Sequence, residues 1–258
     1  MSDADLVLPS AGPDPIPYET ALAGVLGYAR GRRPLRFRSP SSPDGRWVSV
    51  PAFGYERFDR RPGSPEPLGE PDILTAEGLH GRLDPDAWAA MKAVLADVRP
   101  LADAVHTRAA GRPFSRLPDD EFSVLAEPGT VGALLRQIGE RTAARGASSK
   151  HIAAALHHRR PSLFPLSVRA TRWQLLPHVR EGDSGVEAVI HRELGANRAA
   201  FGALQATVAD LLGDDGTTLT VLRLHDVLLW LSATLRLTHA VELGRATGEW
   251  ATYRDQSS

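Results

Sequence analysis

The chain has 258 residues, 42% of them hydrophobic and 24% charged, with a formal net charge of −1 and no cysteine. That length can bury a substantial core, and the missing cysteines exclude disulfides and thiolate metal sites. No basic start followed by an apolar stretch opens the sequence, and the most apolar window, 219–237, is interrupted by Arg223, His225, Asp226 and Arg236, so a cytoplasmic protein with no membrane contact is expected.

In chain order, residues 1–15 are polar and Pro-rich and read as a disordered N-terminus. A single helical domain is expected over 16–240, followed by a tail over 241–258. Residues 18–30 carry Leu22, Val25, Leu26 and Ala29 on one helical stripe, ended by Gly31 and Pro34. The passage 38–71 is loop-rich, with 46–53 its one strand-like run and room for a small hairpin. Asp84 and Pro85 form a helix start before Trp88, Met91, Val94, Leu95 and Val98. A further helix is predicted at 130–144. Ser184 and Glu187 make a capping-box pattern before a long helix to Leu212, closed by Gly213 and the Asp214-Asp215-Gly216 turn. Residues 220–237 are apolar nearly all round, which predicts a central helix. With no repeat and no sustained alternation, the fold class is mostly α, a helical bundle.

The charge is unevenly placed. Between Arg141 and Arg180 lie Arg141, Arg145, Lys150, Arg159, Arg160, Arg169, Arg172 and Arg180, together with His151, His157, His158 and His178, and no acid. Such a block attracts phosphates or a nucleic-acid backbone; the plain alternative is a solvated face paired with acids such as Glu181, Asp183, Glu187 and Glu193. Lys92 and Lys150 are the only lysines, as GC-rich bacterial codon usage would give. Inside the block, residues 146–153 read as a tight turn opening a helix that must stop at Arg160, before Pro161. An extended link follows, and Ser167 can cap the next helix, 168–176. Lys150, Ala154 and His157 are expected on one helix face, Ile152 and Leu156 on the other.

Gly146-x-Ser148-x-Lys150-x-x-Ala153, then Arg160-Pro161-x-x-Phe164-Pro165-Leu166-Ser167, resembles the helix-hairpin-helix DNA glycosylases over about 25 residues. The resemblance implies a glycosylase-like core, places Lys150 on the amine nucleophile of bifunctional members, and puts Ser167 where they have a catalytic aspartate. A serine can cap a helix but has no charge to stabilise a cationic sugar, so base excision by the usual route is not expected. A broader resemblance, over roughly 55–235, is to the bacterial domain of unknown function numbered 6308. It rests on Phe58-Asp59, Asp72-Ile73-Leu74-Thr75 with Leu79, Ser149-Lys150 with Arg159-Arg160-Pro161, and Leu222-Arg223 with Asp226-Val227 and Trp230.

Three readings stand open. The first is binding of DNA or another polyanion through Gly146, Ser148, Lys150, Arg159, Arg160, Arg169 and Arg172, with a phosphate on the amides that open the helix. The second is an enzyme for a small anionic substrate, with Lys150 and Asp226 as its catalytic pair. The third is a helical interaction protein with no site. Asp226, within the apolar helix, needs a partner if buried, Arg223 or a central arginine; His225 is expected to be a satisfied core histidine. Trp88, Trp173 and Trp230 read as core, Trp173 being the best placed to stack on a base. His157-His158 lacks ligand spacing, so neither metal nor other cofactor is expected. Oligomeric state is left open.

Overall fold

The computed structural model describes residues 5–63, 67–126, 128–166, 168–213 and 219–257. Among them are eleven α-helices and one two-stranded antiparallel sheet, so the mostly α class holds. Helix α1 (Tyr18–Arg30) leads into a hairpin of β1 (Arg32–Ser39) and β2 (Ser42–Pro51). Then come α2 (Glu70–His80), α3 (Pro85–Ala109), α4 (Val131–Ala144), α5 (Ser149–Arg159) and α6 (Arg169–Leu175). The chain closes with α7 (Val186–Ala196), α8 (Arg198–Leu212), α9 (Val221–Ala233), α10 (Leu237–Arg245) and α11 (Gly248–Ser257).

Helix α9 is the axis of the core. Thr220 caps it, its hydroxyl accepting from the Arg223 amide at 3.1 Å, and Leu222 to Leu229 are buried without interruption. Helices α1, α6, α7, α8 and α10 pack around it; each fully buried leucine stabilises by roughly 1.5–3 kcal/mol. Helices α1 and α10 touch backbone to backbone. A Cβ on Gly27 would run into the Ala240 carbonyl oxygen, and one on Gly244 into that of Ala23.

Several expectations change. Within the segment expected to be disordered, Leu6 and Leu8 are buried. Leu6 pairs with Ile16 as an antiparallel bridge, and Ser10 donates its amide and hydroxyl to the buried carboxylate of Glu193 at 2.9 and 2.8 Å. Burial alone would raise Glu193, but His225 and Ser10 outweigh it and hold the carboxyl below its usual range. Composition missed this because three apolar side chains among prolines suffice once a partner surface exists. The predicted long helix to Leu212 is two helices: Asn197 breaks it, its side-chain amide donating to Glu193 O at 2.8 Å and Val7 O at 2.7 Å. The capping box at Ser184 does not form. Gly185 is the cap residue, and Ser184 Oγ is buried without a hydrogen bond among the described residues. The apolar helix ends at Ala233 rather than 237, and the expected tail is helix α10 and α11.

Other expectations match. Asp84 accepts from the Ala87 amide at 2.7 Å, Gly146 turns the chain at φ +64°, and α5 stops before Pro161. Ser167 and the Asp214-Asp215-Gly216 turn lie outside the described residues. No helix among the described residues is long and apolar enough to cross a membrane.

Candidate functional site: a charged cleft at the head of the central helix

Three elements converge on the first turns of α9. A 3-10 turn, Tyr55–Arg57, delivers Phe58 and Asp59; the last turn of α1 supplies Tyr28 and α9 supplies Arg223. The Arg223 guanidinium forks onto Asp59, Nε to Oδ1 at 2.7 Å and Nη2 to Oδ2 at 3.1 Å. Nη2 also donates to the Tyr28 hydroxyl at 2.7 Å, and that hydroxyl donates to Asp59 Oδ2 at 2.6 Å. The guanidinium lies over the rings of both Tyr28 and Phe58, 5.5 Å from each centroid. Burial pushes the Tyr28 phenol well up, with Arg223 opposing. Burial works against the Arg223 cation, but Asp59 outweighs it and raises the group. A pair this buried is fixed because either partner left alone would be an unpaired buried charge.

Asp226 follows three residues later on the same helix. Its Oδ2 accepts from the Leu166 amide at 3.0 Å. Burial drives its carboxyl up to about 7, with Arg223 and His225 pulling the other way. Near neutrality the group is therefore divided between a proton donor and an acceptor. His80, at the end of α2, is pushed down to about 3, first by burial and then by His151, Lys150 and Arg223. Its imidazole is neutral, and Nε2 is buried with no hydrogen bond among the described residues.

These groups line a cleft of about 220 Å³. Asp226, His80, Thr171, Tyr28 and Arg223 are among its polar groups, Phe53 and Trp230 are aromatic walls, and the exposed Arg57 and Arg236 stand at its rim. Arg236 stacks on Trp230, 5.3 Å from the ring centroid, and neither rim arginine has a carboxylate partner among the described residues.

The residues chosen from sequence fall elsewhere, apart from Asp226. Ser148 precedes α5, but its hydroxyl bonds His151 Nδ1 at 2.7 Å instead of capping an amide. Lys150 is exposed, and its Nζ donates to His80 O at 3.4 Å; His151 Nε2 meets Gly81 O at 3.0 Å. The positive end of α5 thus faces the carbonyl end of α2, a favourable dipole arrangement. Lys150, Arg169 and Arg172, with Arg136, edge a groove of about 750 Å³ lined by the apolar Ile138, Ile152 and Phe164 and also by Glu140, Glu187 and Ser184. Arg159 and Arg160 line a different, smaller pocket of about 60 Å³ with Arg99 and Asp103, where Arg160 meets Asp103 at 3.9 Å. Six of the seven proposed nucleic-acid contacts are therefore split between two places, and Gly146 lines neither. Lys150 and Asp226 line separate cavities; His80 stands between them, its carbonyl toward Lys150 and its ring in the cleft.

Other expectations resolve as follows. Ala154 and His157 are buried, unlike Lys150. Burial takes His157 down to about 3, so its neutral ring donates Nδ1–H to Phe164 O at 2.6 Å. His225 is buried and bonds Glu193 at 2.7 Å. Trp173 is 62% exposed. No group of three or more potential metal ligands occurs among the described residues. Sequence reasoning passed over Tyr28, Arg57, His80 and Arg236 as site residues. Phe58-Asp59, Leu79, Arg223, Asp226 and Trp230 carried a signal through the family pattern.

Residues 44–233 match the model of the family described as "Family of unknown function (DUF6308)". No curated protein and no solved structure matches, so the likeness to helix-hairpin-helix glycosylases rests on the local motif alone.

Proposed function

The chain belongs to the DUF6308 family, and from that premise we propose that it is an enzyme acting on a small anionic substrate in the α9 cleft. The observation carrying this reading is a carboxyl ionising at about 7, Asp226, in a cleft rimmed by two arginines without carboxylate partners. Arg57 and Arg236 take the anionic group. Phe53 and Trp230 flank a planar or apolar body, and the neutral His80 Nε2 completes the polar contacts. Asp226 serves as general acid or base, because a group titrating near the working pH exchanges protons in both directions. Arg223 is a positioning residue: its hydrogen bonds are taken by Asp59 and Tyr28, and it keeps the head of α9 in place. The amine of Lys150 has no part in this cleft. Three segments of the family pattern, Phe58-Asp59, Leu79 and Arg223 with Asp226 and Trp230, converge here, which supports the cleft over the central basic block.

A second reading, polyanion binding at Lys150, Arg169 and Arg172, is favoured by their shared position along the larger groove.

The test is a titration of small anions (inorganic phosphate, nucleoside monophosphates, aromatic carboxylates) followed by tryptophan fluorescence, with Trp230→Phe to isolate the cleft signal. A compound that quenches Trp230, binds more weakly to Arg57→Ala/Arg236→Ala, and loses its pH dependence near neutrality in Asp226→Asn supports the reading. Binding untouched by these substitutions, or none at millimolar concentrations, overturns it.

A further inference from the structure

Residues 32–46 hold five arginines, Arg32, Arg33, Arg36, Arg38 and Arg46, in fifteen positions of a chain whose net charge is −1. They lie on the β1–β2 ribbon, not in the central block. The register pairs Arg36 with Trp47, Phe37 with Arg46, Leu35 with Val48 and Arg33 with Val50. Directly opposed residues of an antiparallel pair share a face, so one face carries Arg32, Arg36 and Trp47 and the other Arg33, Leu35, Phe37 and Arg46. Each face therefore couples a cation to a ring. Neither is covered by the helical body: every β1 residue from Arg32 to Arg38 is exposed, as are Trp47 at 70% and Phe37 at 47%.

The local acids leave most of this charge free. Glu56 pairs with Arg32 at the ribbon's base, 2.9 Å apart. Arg36 bonds the Asp44 backbone carbonyl. Arg33, Arg38 and Arg46 have no carboxylate partner among the described residues.

We propose that this ribbon is a binding element for duplex DNA, entering a groove so that its two faces meet the two phosphate walls. At about 3.3 Å per residue the longer strand reaches roughly 30 Å, and the B-form major groove, about 12 Å wide, admits a two-stranded ribbon. Cations on both faces are what selects a duplex. A single strand or a lipid surface presents phosphates to one face only and would leave the other charged and unsatisfied. Trp47 and Phe37 add apolar contact to sugars and base edges. The inference stands apart from the cleft reading, although the two adjoin: Ala52, which closes the ribbon through its bond to Gly31 O at 2.8 Å, also lines the cleft.

The test is fluorescence-anisotropy binding of a labelled duplex, the matching single strand and phosphatidylserine vesicles across a salt series. Wild type is compared with Arg33→Ala/Arg38→Ala/Arg46→Ala, with the same three positions as lysine, and with Lys150→Ala/Arg169→Ala/Arg172→Ala. Because the ribbon side chains are exposed, all variants should keep the wild-type helical circular dichroism. The expected result is that the ribbon alanine variant binds duplex at least tenfold more weakly. Its log–log salt slope should be shallower by about 3, one unit per lost phosphate contact. The lysine variant should retain the slope, and the α5–α6 variant should be unchanged. No duplex binding at low salt overturns the proposal. So does an unaltered ribbon alanine variant, or equal affinity for single strands or vesicles. A result in which only the α5–α6 variant loses binding overturns it in favour of that surface.

Discussion

Replacing Asp226 with asparagine should change the pH dependence of stability in a defined direction. The carboxyl goes from an ordinary 3.8 to about 7 in the folded protein, chiefly through burial. Its folded form therefore holds a proton that the unfolded chain has already released. The contribution is fully favourable below about pH 4 and is lost as pH rises toward 7, the reverse of an ion-paired carboxylate. At 1.36 kcal/mol per pH unit, the difference amounts to about 4 kcal/mol. Asparagine keeps the shape and an oxygen for the Leu166 amide but cannot ionise, so the variant should track the wild type near pH 4. By about pH 8 it should have gained about 4 kcal/mol on it. Urea unfolding followed by circular dichroism at a series of pH values gives both curves, and every other titrating group cancels in their difference. A difference that stays flat from acid to alkaline pH would refute the assignment of Asp226 as the group titrating near neutrality.

Arg223→Met should cost about 3–5 kcal/mol by leaving Asp59 buried and unpaired, and adding Asp59→Leu should return much of it; a double-mutant cycle on unfolding free energies checks this. His157 works in the opposite pH sense from Asp226. With its imidazole held at about 3 by burial, stability is intact above about pH 6.5 and is lost as pH falls toward 3, by about 3 kcal/mol near pH 4.5. His157→Gln should lack that part of the acid loss in the same urea series. Gly27→Ala should lower stability by about 3 kcal/mol or more, since its new methyl meets the Ala240 carbonyl. Gly24→Ala, whose methyl would meet side-chain ends alone, the nearest being that of Leu237 at 3.1 Å, should cost less; melting temperatures of the two variants make the comparison.

The helices of this protein are readable wherever local signals agree with packing. Helix α3 begins where Asp84 and Pro85 place it, and α5 ends where Pro161 requires. Periodicity cannot report what long-range contacts impose. Asn197 looks like a tolerable helix residue until Val7, 190 positions earlier, supplies a competing partner for its side chain. Leu6, Leu8 and Ile16 are too few to announce a packed segment. The cleft was half visible: Asp226 stands out as a charge in an apolar helix, whereas its neighbours Tyr28 and His80 come from α1 and α2 and carry no pattern of their own. The central block stood out by counting charges, but counting along the chain does not say which way a helix turns its side chains. Lys150 and Arg159 are nine residues apart on one helix and line different pockets.

The contact between α1 and α10 also governs the order in which the protein can be completed during synthesis. Helix α1 leaves the ribosome well before α10. The surface that must meet Gly27 arrives with Ala240 and Gly244, more than 200 residues later; at roughly 5–20 residues per second that is a delay of about 10–40 s. Throughout it, the Gly27 face of the first helix has no native neighbour. A nascent chain stalled at residue 233, where the family match ends, would still lack α10. The Gly27 face of α1 would stay accessible to chaperones or to another copy of the chain until α10 emerges.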